Sequence, residues 1–392
     1  MQRSRKKITR PRVAFIDNQI NRSYIKTLLK KEQRIVDVLT VSNQQVVQDQ
    51  RAINNNLSHA TLCSKIFLNQ VTCGCELFYL NIWDEGETNA NIDALLCALI
   101  WCLENDIHLV NLSLGTTRLS DASKLLTIVN QLADNNIIII AASSNQQKLT
   151  FPAAFDKIIG VKAIPETQKR KSGFVYHDNS IDRIKISCYV PNESLMYKEE
   201  YYYLGTSNSF AAAIISAKIC DLLSEGFRSL DELKIKLKNQ ALIKIPKQVH
   251  KAYRLYFRST IEIPIIAIVN DSSSQIAKKL NEYFLKHEYQ GMCLSENLGT
   301  NFSTRMLNIA DFKYYSPRKI LQFYAHYCYA DYMIIESSEK LFKQLKTKEI
   351  DLVLHHSSFN ILKIKRKVTC ISYSDYEDYT TLFSEIYRYL SV

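Results

Sequence analysis

The sequence predicts an α/β protein: a parallel sheet with helices on both faces, followed by a smaller C-terminal α/β domain. Three observations carry that expectation. Short apolar runs such as VAFID (13–17), NIIIIAA (136–142) and IPIIAIV (263–269) alternate with helical stretches of 10–18 residues. That alternation marks strands buried on both faces and joined by helical crossovers. It lapses over IPKQVHKAYRLYFRSTIEIP (245–264) and then resumes, which divides the 392 residues into two domains. Finally, Asp17, Asn111 and Asn145 fall at or just beyond strand ends, where open α/β sheets place their chemistry.

In chain order, PRVAFID (11–17) is a buried strand that gives way abruptly to Asp17-Asn18-Gln19. LFYLNIW (77–83) is a second strand and NANIDALLCALIWCLEND (89–106) a helix. Strand IHLVNLSLG (107–115), helix SDASKLLTIVNQLADN (120–135), strand NIIIIAASS (136–144) and strand DKIIGVKAI (156–164) continue the pattern. In the second domain, strands are expected at 263–269, 331–337, 350–357 and 367–374, with helices near 273–287, 338–347 and 378–390. The expected boundaries are a basic tail at 1–12, a first domain at 13–245, a connecting segment at 246–262 and a Rossmann-like domain at 263–392. The last would serve substrate recognition or dimerisation.

Composition narrows the function. The formal charge is +11, yet six basic groups and no acid sit in the first twelve residues, while residues 259–392 hold 16 basic against 15 acidic groups. The excess therefore belongs largely to a short arm, and no nucleic-acid module accompanies it. No apolar segment follows the basic start, and none approaches a membrane span. Ten Cys without an export signal suit reduced thiols in a cytoplasm. CGC (73–75), with Cys63 nearby, lacks paired CxxC units and is read as free thiols, so no metal is expected. VNDSSSQ (269–275) occupies the place of a phosphate loop but has neither Gly nor Lys, and is read as a helix N-cap. No cofactor is expected.

The chemistry gathers around GTSNSFA (205–211). Ser207 stands before a helix with apolar residues on nearly every side, from Phe210 to Leu223, so the helix is buried. Unpaired N–H groups and the helix dipole there favour a developing negative charge. A hydroxyl needs a base to become a nucleophile. His59, in SHATLCSKIF (58–67), and Asp17 supply one in the order Asp, His, Ser.

These residues resemble the subtilisin-like serine peptidases: a strand ending in Asp, a His-x-Thr helix start, and Gly-Thr-Ser before a helix. NLSLG (111–115) and IIIIAASSNQQKLTFPAAFDKIIGVKAI (137–164) are similar to two further family segments, and the likeness covers about residues 11–226. The resemblance implies a subtilisin-like sheet and a serine endopeptidase with Asp17, His59 and Ser207 as triad. It implies Asn145 as oxyanion donor and Leu112, Ser113, Leu114 and Gly115 as contacts for an extended peptide, with Asn111 structural. The partner implied is a peptide or protein substrate. Cytoplasmic members without a propeptide point to a narrow task such as leader removal from a ribosomally made peptide, since only about a dozen residues precede the first strand. The chain departs from the family at Asn18-Gln19, Ala60, Ser144 and Asn208-Ser209-Phe210-Ala211. The competing expectation is a degenerate member that binds peptides without cleaving them.

Overall fold

The computed structural model describes residues 10–50, 56–83, 90–165, 172–243, 253, 256–257, 259–269, 275–345, 349–356, 368–376 and 378–390. The basic tail to residue 9, most of the connecting segment and 270–274 of VNDSSSQ lie outside the described residues. Two compact units form, one of residues 1–116 with 124–249 and one of residues 117–123 with 250–392.

The first unit is built on nine strands: β1 (Arg12–Asp17), β2 (Arg34–Ser42), β3 (Gln45–Gln48), β4 (Glu76–Asn81), β5 (Leu109–Leu112), β6 (Ile138–Ala142), β7 (Ile159–Pro165), β8 (Phe174–Tyr176) and β9 (Ile186–Val190). Their order is β3-β2-β4-β1-β5-β6-β7-β9-β8. Neighbours run parallel except at the two edges, where β3 pairs with β2 and β8 with β9 antiparallel. Such pairs need no crossover helix. β2 escapes the sequence pattern because it mixes polar with apolar residues and, apart from buried Leu39, is exposed or half-buried.

The helices of this unit are α1 (Arg22–Leu28), α2 (His59–Gln70), α3 (Ile92–Glu104), α4 (Ala122–Asp134), α5 (Asn208–Ser224) and α6 (Leu230–Gln240). Successive strand side chains point to opposite faces. Phe15 of β1 accordingly meets Phe67 of α2 with ring centroids 5.2 Å apart, while Phe78 of β4 meets Trp101 of α3 at 5.8 Å. Helices cover both faces, as the alternation requires.

The strand expected over 107–115 ends at Leu112. Beyond it the chain turns away, and Thr116 and Phe151 exchange two backbone hydrogen bonds of 2.8 Å. Gly115 makes that approach possible, because a Cβ there would lie 2.6 Å from the Phe151 carbonyl oxygen. The helix expected from 120 opens as a 3-10 turn at Leu119–Asp121 before α4. A hairpin of β10 (Glu193–Tyr197) and β11 (Glu200–Leu204) precedes Ser207. Its two-residue turn, Lys198-Glu199, has φ of 49° and 67°, as the right-handed twist of a tight hairpin demands.

The second unit holds an all-parallel sheet ordered β14-β13-β15-β12-β16-β17. Its strands are β12 (Ile265–Val269), β13 (Gly291–Ser295), β14 (Met306–Asn308), β15 (Tyr332–Ser337), β16 (Leu352–His355) and β17 (Thr369–Ser372). The sequence pattern omits β13, β14 and the helix Pro317–Tyr327. The helix expected over 338–347 is a single turn, Glu339–Phe342. Among the described residues no helix is long and apolar enough to cross a membrane.

One buried polar contact ties α5 to the sheet. The Ser216 hydroxyl donates to Asn111 Oδ1 at 2.9 Å, and Asn111 Nδ2 donates to Ser113 Oγ at 2.9 Å. Asn111 and Ser216 are fully buried, so each needs the other. Asn111→Ala is expected to cost about 1–3 kcal/mol in chemical denaturation. Combined with Ser216→Ala, the total loss should fall below the sum of the two single losses.

Candidate active site

Asp17 closes β1 and is 3% exposed. Its Oδ1 accepts from the Asn18 N–H at 2.8 Å, and the Asn18 side chain in turn accepts from the Ala60 N–H at 2.9 Å. Asn18 thus clamps the end of β1 to the first turn of α2. Ser58 caps α2 by accepting from the Thr61 N–H, and the Thr61 hydroxyl accepts from the Asn21 N–H at 2.8 Å. His59 is therefore the first residue of a helix whose start is fixed from three sides. Its Nδ1 meets the two Asp17 oxygens at 3.0 and 2.8 Å.

The other imidazole nitrogen faces a thiol. Cys63 lies one helical turn on, fully buried, with its Sγ 3.9 Å from His59 Nε2. Ser113 Oγ donates to that sulfur at 3.5 Å. A chain of polar contacts thus runs from Asn111 through Ser113, Cys63 and His59 to Asp17. Burial lowers the imidazole pKa, but the Cys63 sulfur and then the Asp17 carboxylate more than reverse that, and it stands well above its ordinary value.

Ser207 is the N-cap residue of α5 in extended conformation, φ −128° and ψ 140°. Its hydroxyl makes no capping hydrogen bond, so the commonest role of a serine in this place is not the one it plays. The helix reaches His59 through Phe210, whose ring stacks on the imidazole with centroids 6.2 Å apart. Asp17 and His59 are joined by hydrogen bonds, whereas Ser207 makes no hydrogen bond to the imidazole.

Asn145 lies beside the start of α5: its Oδ1 accepts from the Asn208 N–H at 3.1 Å. Asn208 organises the whole loop. Its Nδ2 reaches the Ser143 carbonyl, the Ser143 hydroxyl and the Ser144 carbonyl at 2.9, 3.1 and 3.1 Å, and its Oδ1 accepts from the Ala163 N–H at 2.7 Å. Ser144, one of the departures from the family pattern, does not adopt a positive φ, so its backbone there does not call for a glycine. Its N–H donates to Thr150 Oγ1 at 2.8 Å.

Of the expected substrate contacts, Leu112 is fully buried and paired with Ile16 on one side and Ala141 on the other. It has no free backbone edge to offer a peptide, which corrects that expectation for this residue. Ser113 is 8% exposed, and its carbonyl accepts from Ser209 Oγ at 3.1 Å. Leu114 is half-buried and Gly115 exposed, beyond the end of the sheet. Cys63 and Asn208 have no place in the sequence pattern. A polar residue directly after Ser207, at the head of a largely apolar helix, is the one signal that points to Asn208.

Among the described residues, ligand-type atoms of Asp17, His59 and Cys63 lie within 4.8 Å of one another. His59 Nδ1 faces the carboxylate, so an ion at Nε2 would find Cys63 as its only other direct ligand from this group. The ring of His59 is expected to titrate above the ordinary value of about 6.5 in NMR spectra. Cys63→Ala should move the midpoint down, because it removes one of the two neighbours that raise it.

The profile of the Subtilase family matches residues 10–248. The chain is 29% identical over 126 residues to the minor extracellular protease Epr of Bacillus subtilis, covering 31% of this chain and 19% of Epr. It is 25% identical over 119 residues to the thermostable alkaline protease of Halalkalibacterium halodurans, covering 30% of this chain and 32% of that protein. The matched stretch thus spans less than a third of these relatives' lengths. Similar solved structures include the prenylagaramide maturation protease PagA, with 17% identity and a TM-score of 0.39 over 60% of this chain and 79% of that one. A lanthipeptide protease gives 13% identity and a TM-score of 0.44 over 60% and 81%. With the family profile matching well over half of its length, the chain belongs to the subtilase family.

Proposed function

We propose that the first unit is a serine endopeptidase that cleaves peptides through an acyl-enzyme, with Asp17, His59 and Ser207 as its triad. The observation that carries the reading is a hydroxyl released from capping at the N-terminus of a buried helix, whose first turn stacks Phe210 on a His held by a buried carboxylate. Ser207 Oγ attacks the scissile carbonyl while His59 Nε2 takes its proton, and Asp17 stabilises the imidazolium. The oxyanion is met by Asn145 Nδ2 and by the unpaired N–H groups at the start of α5. Asn145 keeps its Oδ1 on the Asn208 N–H, which turns its amide nitrogen elsewhere. His59 then protonates the leaving amine, and water, activated by the same imidazole, releases the acid. For the first step Nε2 must exchange its contact with Cys63 for Ser207, a tightening that substrate binding commonly completes.

The substrate is an extended peptide running beside Leu114 and Gly115. A leader segment of a ribosomally made peptide is the narrow substrate this reading favours, with the second unit as recogniser. A second reading, peptide binding without turnover, draws on the absent His59–Ser207 hydrogen bond and the thiol at Nε2.

Treatment with a fluorophosphonate decides between them. The first reading expects one covalent adduct in the intact mass of the wild type, absent from Ser207→Ala and His59→Ala. A folded wild type that takes up no adduct overturns it in favour of the second. In the active enzyme Asn145→Ala should lower kcat by about 10²–10³, the contribution of one such donor in this class of hydrolase. Only the neutral imidazole accepts a proton, so kcat/KM should rise with pH through a midpoint above ~6.5 and fall off on the acid side.

A further inference from the structure

Three cysteines meet where the chain leaving α2 passes α5: Cys73 and Cys75 of the CGC segment, and Cys220 near the end of α5. The sulfurs of Cys73 and Cys220 are 3.6 Å apart. Cys220 and Cys75 are fully buried, whereas Cys73 is half-buried and open to small solutes.

The backbone around Cys73 is held from several directions. The Thr72 and Cys73 N–H groups donate to the Asp221 carboxylate at 3.0 and 2.9 Å. The Val71 and Cys73 carbonyls accept from Lys30 Nζ at 2.8 Å and Gln33 Nε2 at 3.2 Å. Gly74 fits against Glu32, whose Cβ would stand 2.9 Å from a Cβ added there. The residue next to Cys220 thus anchors the residue that bears the opposing sulfur. Bonded sulfurs lie about 2.0 Å apart, so the closure needed is about 1.6 Å, within the reach of side-chain rotation.

We infer that Cys73 and Cys220 form an oxidation site: a dithiol that a peroxide converts to a disulfide joining the segment after α2 to α5. The peroxide first oxidises the accessible Cys73 thiol to a sulfenic acid and leaves as water. Cys220 sulfur then attacks the Cys73 sulfur, and hydroxide departs with the Cys220 proton as a second water. Two electrons pass from the two thiols to one peroxide. The neighbouring sulfurs of Cys73 and Cys75, and then burial, push the Cys220 thiol up, so it keeps its proton until that second step. The bridge closes a span of 147 residues, which restricts the unfolded chain far more than the folded one. It also joins the far ends of the two helices whose near ends bear His59 and Ser207.

The test uses the full chain, reduced and then exposed to hydrogen peroxide, with peptide mapping by mass spectrometry and a thermal melt. A peptide pair linked through Cys73 and Cys220, with a raised melting midpoint, is the expected result. Cys73→Ser should lose both the link and the rise, and Cys75→Ser should keep both. Because Cys220 is buried and its replacement can disturb packing, the half-buried Cys73 carries the decision. A bridge to Cys75, or oxidation of Cys73 to sulfinic acid with no bridge, overturns the inference. Neither readout depends on peptidase activity, so this result stands apart from the fluorophosphonate result.

Discussion

Burial of α5 takes twelve of its seventeen side chains out of water, and the rest of the candidate site is arranged around that constraint. A helix so enclosed cannot shift along its axis without breaking its packing against β5, β6, β7 and β9. Its N-terminus is therefore a fixed point. Ser207 stands on that point, Phe210 of its first turn lies under the imidazole, and Asn208 gathers the loop that carries Asn145. The buried Asn111–Ser216 contact fixes the helix along its length as well as in depth.

The dyad illustrates a different economy. His59 heads α2, and nothing in α2 alone would aim it. The aim comes from Asn18, which holds the first turn of the helix against the end of β1, and from Asp17, whose buried carboxylate has the imidazole as its partner. Cys63 adds a competitor for the opposite ring nitrogen. The imidazole sits between a carboxylate and a thiol, and both raise its proton affinity. A base poised that way is strong once free, but it is freed only at higher pH or when another acceptor displaces the sulfur.

The layering was legible in the sequence because long apolar runs such as Ile137–Ala142 have few alternatives to a buried strand. The order Asp17, His59, Ser207 was legible through its resemblance to a known family, and of the three the structure joins Asp17 to His59 by hydrogen bonds. What escaped did so for physical reasons. β2 is half-exposed and mixes polar with apolar residues, so it carries neither a clear period of two nor a buried run. Leu112 and Gly115 look alike as parts of one strand, yet one is locked inside the sheet and the other lies past its end, a difference set by the pairing of Thr116 with Phe151. Asn18, Cys63 and Asn208 act through partners 42 to 65 residues away or through a helical turn, and no local pattern encodes such partners.

The amide of Asn208 has a consequence for which sequences this site can accept. One limb of the side chain must donate, because it faces three oxygens of Ser143 and Ser144; the other must accept, because it faces the Ala163 N–H. A carboxylate would turn a fourth oxygen on those three, a hydroxyl would be too short to span both limbs, and a glutamine would overshoot by a methylene. The shape of this loop is written into one side chain, and the alphabet available at that position shrinks to a single letter.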